Sequence, residues 1–168
     1  MRTHRLSTPA LNGTVESAIT NAVGRLGEKL VLRRAASLHV PNGLVGAYVH
    51  GAAPAAPTGS DGPAVGRIAV LVGADADPAE APLLRQIAQH VAGFRPTALE
   101  GAPESGALLE QPFLFNDALT VRAALAAAAT AGARPPRLLA FERYEVGEGI
   151  ERQAVDFAAE VNAQLQRP

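Results

Sequence analysis

Cysteine is absent from the 168 residues. That excludes disulfides, thiolate metal sites and a cysteine nucleophile, and it fits a reducing compartment. Tryptophan is also absent, and aromatic residues make up only 4% of the chain. Core volume must therefore come from Ala, Val and Leu. No apolar run approaches the roughly 18 residues of a membrane-spanning helix. A surplus of one charge is missing too: 15 basic residues face 16 acidic ones, for a net charge of −1. Non-specific grip on nucleic acid needs a basic excess or stripe, so no direct nucleic-acid contact is expected. The usual catalytic signatures do not occur: there is no G-x-S-x-G, no phosphate-binding G-x-x-x-x-G-K-[ST] and no H-E-x-x-H. His4, His39, His50 and His90 are scattered, with no pair at the i, i+4 spacing that puts two ligands on one helix face. We expect no metal site and no cofactor. Gly147-Glu148-Gly149 is not a dinucleotide fingerprint, which needs a third glycine three residues on. Glu145 and Glu148 would repel a pyrophosphate there.

What is present is apolar secondary structure. Hydrophobic residues are 48% of the chain, and its length suits one ordinary domain or two small ones. The start, MRTHRLSTPALNGTV, carries Arg2, His4 and Arg5 and no acid before Glu16. It reads as a flexible polar N-terminus over 1–13, or as the tail of an organellar transit peptide. Val15, Ile19, Ala22, Val23 and Leu26 follow helical spacing, which predicts a helix over 14–26 capped by Thr14 or Asn12 and ended by Gly27. KLVLRRAASLHV (29–40), the turn Pro41-Asn42-Gly43 and LVGAYVH (44–50) predict an antiparallel hairpin. GAAPAAPTGSDGP (51–63) reads as an exposed loop. GRIAVLVG (66–73) reads as a central strand. Asp77-Pro78-Ala79-Glu80 is a capping-box helix start, followed by the stripe Leu83, Leu84, Ile87, Val91 and Phe94 and stopped by Pro96. Beyond a linker-like 98–106, the run 109–115 reads as extended. Thr120 caps a short helix with Val121, Leu125 and Ala128 inward. A strand over 137–146 and a helix over 150–165 complete the domain, 14–168. This order predicts an α+β fold, with an antiparallel sheet of three to four strands and helices packed on one face.

The charged corner near the end admits two readings. Glu148 and Glu151 lie near the start of the last predicted helix, where each negative charge is stabilised by about 0.3–1 kcal/mol. Paired carboxylates also perform general acid–base work, but no catalytic partner accompanies these. The profile is that of a protein-binding domain rather than an enzyme.

Several stretches together resemble the elongation factor Ts family. "AITNAVGRLGEKLVLRR" resembles the family's helix, Ile/Leu-Gly-Glu and strand with paired arginines. "GAYVHG" and "GRIAVLV" resemble its next two strands, joined here by a longer loop. "LLRQIAQHVAGFRP" is similar to its Ile-Ala-Met-His-Val-Ala-Ala helix. "LLEQPFLFNDALTVRAAL" and "FERYEVGEGIERQAVDFAAEV" resemble its Gln-Pro-Phe segment and its closing Arg-Phe-Glu-Val-Gly-Glu-Gly-Ile-Glu. The order is the family's, from Thr14 to Leu165. The chain thus resembles the family's C-terminal core half. The N-terminal helical domain and the Thr-Asp-Phe-Val motif are not found in it. Only 98–107 stands where many bacterial members carry a long helical insertion, which is more like mitochondrial members.

The resemblance implies a nucleotide-exchange factor that binds elongation factor Tu and loosens Mg²⁺ and GDP without covalent chemistry. It works by favouring the partner's nucleotide-free state. It implies that Leu26, Gly27 and His50 touch elongation factor Tu, and that Glu148 and Gly149 lie near its nucleotide domain. Without the Asp-Phe pair of the missing motif, exchange by this chain alone is expected to be reduced. The alternative is a repurposed structural subunit of a large assembly such as an organellar ribosome. A separate chain supplying the missing half is a further option. The expected location is mitochondrial, with plastid or bacterial cytoplasm as alternatives.

Overall fold

The computed structural model describes residues 5–6, 13–51, 64–129 and 134–149. The chain divides into two compact units, Met1–Ser37 and Leu38–Pro168. In the first, a short bridge pairs β1 (Arg5–Leu6) with β2 (Gly13–Thr14), and α1 (Val15–Leu26) follows. Thr14 and Ser17 cap α1 reciprocally: the Ser17 N–H donates to Thr14 Oγ1 at 3.2 Å, and the Thr14 N–H donates to Ser17 Oγ at 3.0 Å. Gly27 ends it in the left-handed region at φ 71°, its N–H donating to the Val23 carbonyl. A glycine adopts that conformation without a Cβ clash.

The second unit is built on an antiparallel sheet in the order β3 (Leu44–His50), β4 (Ile68–Asp75) and β7 (Arg137–Glu145). β4 is central, as its continuous apolar run predicts. The sheet bears out the α+β expectation. The helix α2 (Ala81–Phe94) packs on β3 and β4. Glu80 reaches back to the Asp77 N–H at 2.8 Å, so the predicted start is correct, with one 3-10 turn over Pro78–Glu80 before the α-helix. Leu84, Ile87 and Val91 are fully buried against Val70 and Val72. Burying each such side chain contributes about 1.5–3 kcal/mol. Gly46 lets α2 approach: a Cβ there would meet the Leu84 backbone at 2.8 Å. A small hairpin, β5 (Pro112–Phe113) and β6 (Asn116–Thr120), leads into α3 (Val121–Ala127). Leu108, Phe113, Val121 and Leu125 close the core. Thr120 caps α3, accepting from the Ala123 N–H at 3.1 Å.

Two expectations need correction. Residues 29–40 form no strand, so β3 pairs with β4 rather than with that segment. The reason lies at its end. Leu38 and Val40 lie over Gly73, whose missing side chain makes room for them, so these two residues cover a face of β4 instead of extending the sheet edge. Phe94, placed in the buried stripe, is 48% exposed. It comes at the end of α2 and stacks on the ring of His90 instead, at 4.5 Å between centroids. The expected helix over 150–165 and most of the loop over 51–63 lie outside the described residues. Among the described residues no helix is long and apolar enough to cross a membrane.

Candidate partner-binding site

The sheet register gathers the candidate residues of the second unit at one end. His50 faces Ile68 across β3 and β4, and Ile68 faces Glu145 across β4 and β7. The C-terminus of α2 and the tip of the β5–β6 hairpin reach the same end. Between them lies an open hollow of about 400 Å³, lined by Tyr48, His50, Ile68, Gln89, Ala92, Gly93 and Leu114. The Tyr48 hydroxyl is 3.1 Å from His50 Nδ1, which fixes the ring of an otherwise exposed histidine. Phe94, Leu114 and Phe115 are each about half exposed at this end. Exposed large apolar side chains gathered beside a hollow make this end a candidate interaction surface.

The surface stands on a buried polar support. His90 is fully buried on α2. Its Nδ1 accepts from the Leu114 N–H at 3.2 Å, so Nε2 carries the proton and donates to Gln111 Oε1 at 2.9 Å. Gln111 in turn donates to the Gly106 carbonyl at 2.9 Å. Burial pushes the His90 pKa down, opposed by the Gln111 hydrogen bond, so the ring is neutral. His90 is thus a satisfied core histidine that pins Leu114 in place. Among the described residues no group of three or more His, Asp and Glu is arranged to hold a metal.

A charged lock adjoins the hollow. The Arg143 side chain is only 7% exposed. Its guanidinium donates to Glu145 at 2.7 Å and to the Ala92 carbonyl at 3.3 Å, tying the end of α2 to the end of β7. A cation there also complements the helix C-terminus. Arg95 pairs with Glu145 from the solvent side at 2.7 Å. These partners hold the Glu145 carboxyl below its usual pKa, the Arg143 hydrogen bond most strongly. Glu148 Oε1 is 3.6 Å from Arg143 Nη1, and the Glu148 N–H donates to the Glu145 carbonyl at 3.2 Å. Gly147 and Gly149 take positive φ, 84° and 68°, in the turn that follows.

His50, Glu148 and Gly149 therefore share one end of the sheet. Leu26 and Gly27 belong to the first unit, at the end of α1, where Leu26 is 64% exposed. Sequence reasoning missed Tyr48, Phe94, Leu114, Phe115 and Arg95. The apolar ones look like core residues in one dimension, and only the hairpin tip and the helix end turn them outward.

The elongation factor TS family model matches residues 2–103, more than half of the chain. Relatives at 38%, 36% and 32% identity are the elongation factor Ts proteins of Nitrobacter hamburgensis, Methylocella silvestris and Bartonella tribocorum. The matches cover 90%, 89% and 92% of this chain and 61%, 59% and 62% of those proteins. The chain belongs to the elongation factor Ts family. It spans about three-fifths of the length of these curated relatives. The Nitrobacter alignment runs over 195 positions, more than the 168 residues of this chain, so the relative carries residues inside the matched span that this chain does not.

Proposed function

We propose that this chain is a protein-binding module of translation elongation, and that the sheet end around His50 docks elongation factor Tu. One observation carries the reading. His50 stands on the same hollow as Leu114, with the exposed Phe94 and Phe115 at the same end of the sheet. Family membership supplies the class of partner. An apolar centre with a polar rim is the usual anatomy of such interfaces. The chain performs no covalent chemistry in this reading: it acts by preferring one nucleotide state of its partner. Exchange by the chain alone is reduced, because the Thr-Asp-Phe-Val segment does not occur in it. The curated relatives are bacterial, which supports the bacterial cytoplasm over the mitochondrial location.

Titration of elongation factor Tu with the purified chain tests this. The wild type binds, and the Leu114→Ala/Phe115→Ala double variant binds at least tenfold more weakly, which is about 1.4 kcal/mol. His50→Ala weakens binding to a lesser degree. Stopped-flow release of a fluorescent GDP analogue then shows weak acceleration. Equal affinity for all three proteins moves the interface elsewhere, and full acceleration by the chain alone overturns the reduced exchange.

A further inference from the structure

α1 and α2 end with the same left-handed residue, but with different side chains. Gly27 occupies that position after α1 and Arg95 after α2, at φ 49° and ψ 56°. Arg95 is the one non-glycine residue with positive φ among the described residues. Glycine takes this conformation without the penalty a Cβ brings, and it is the usual residue there. The helix must turn at this point, because the next residue is Pro96. Nothing about the turn itself asks for an arginine.

The ion pair within the chain does not ask for one either. The Arg95 side chain is 64% exposed, and a pair at such a site contributes little to stability. Glu145 already accepts from the buried guanidinium of Arg143 at 2.7 Å. Arg95 engages Glu145 through Nη2 alone. A guanidinium carries five donors in a planar fork that matches a carboxylate, so among the described residues most of this group's capacity remains for another acceptor. It follows Phe94 directly, and Glu145 sits across from Ile68, a wall of the hollow.

We infer that Arg95 is a specificity-determining residue of the docking surface, kept in the left-handed region to present its guanidinium to a carboxylate on the partner, beside the apolar contact made by Phe94 and Leu114. The inference rests on the docking reading above. It predicts a trade between stability and binding. Arg95→Gly relieves the backbone, and its melting temperature rises by about 2–5 °C. The same variant binds elongation factor Tu at least tenfold more weakly, with a shallower dependence on salt. Arg95→Lys retains the charge without the planar fork and falls between the two.

Melting curves and titrations at two salt concentrations on the whole chain decide the matter. A wild type that fails to bind brings down the docking reading and this inference together. A wild type that binds, with Arg95→Gly equal to it, brings down the inference alone. A lower melting temperature for Arg95→Gly overturns it as well, because Arg95 then serves the fold.

Discussion

α1 and α2 start from similar sequence instructions and end in different states. Each is amphipathic, each is preceded by a capping box, and they run 12 and 14 residues. α2 buries Leu84, Ile87, Ala88, His90, Val91 and Ala92, whereas α1 has no buried residue. Periodicity establishes that a helix has an apolar face. It does not establish what that face meets. For α2 the answer is the sheet, brought close by the bare backbone of Gly46. For α1 the stripe of Val15, Ile19 and Val23 is only partly covered, with none of the three fully buried.

The comparison is tested most severely by matched truncations. Ile87 is fully buried, so Ile87→Ala removes core contacts and leaves a cavity, at a cost of about 2–5 kcal/mol. Ile19→Ala removes a partly exposed side chain and substitutes a better helix former, so its cost stays below about 1 kcal/mol. Urea denaturation of the two variants reads both numbers. Equal losses would show that α1 is packed as tightly as α2, and the contrast between them would fall.

The same contrast shows which features were legible in one dimension. Caps and breakers were, because they act through the adjacent backbone: Thr14, Gly27, Thr120 and the Asp77–Glu80 start all hold as read. The central strand was legible too, since a continuous apolar run requires cover on both faces. The strand expected over 29–40 was not, because strand-forming residues serve equally well in an extended segment. At its end, Leu38 and Val40 occupy the room left by Gly73, more than thirty residues away. The candidate site was half legible. His50 and the Glu148–Gly149 corner came from family-like motifs, and the register puts them at one end. Phe94 and Leu114 did not emerge, because an outward-facing apolar residue has the same letter as a buried one.

A smaller effect separates the two helices by pH. Only α2 carries a buried titratable group, His90, whose folded pKa is depressed by burial below 6.5. The unfolded chain then binds the extra proton more readily than the folded one. Stability is therefore fully present above about pH 6.5 and is lost as pH falls from there toward the folded pKa. Glu145, with its own depressed pKa, acts in a separate window below about 4.5. Denaturation midpoints between pH 8 and pH 5 should fall for the wild type, and the slope should shrink in His90→Gln. A flat wild-type profile would show that His90 titrates as it does in water.

The smallest expected effect lies in α1 itself. A 12-residue helix is marginal without tertiary support, so its caps weigh heavily. Thr14 contributes half of a reciprocal cap, accepting the Ser17 N–H while its own N–H is taken by Ser17 Oγ. Thr14→Ala removes the first of these bonds and weakens α1 by about 0.5–1 kcal/mol. The loss should be local, because α1 and the sheet belong to different compact units. Amide exchange should speed up over 17–20, while the amides of Val70 and Val72, at the centre of the buried sheet, keep their protection. The equivalent lesion before α2 should behave differently. Glu80→Ala frees the Asp77 N–H at the start of a helix that is built into the core, so any loss is shared with the sheet. Uniform acceleration of sheet amides in Thr14→Ala would mean that α1 unfolds together with the sheet, and the distinction between the two helices would be one of exposure only.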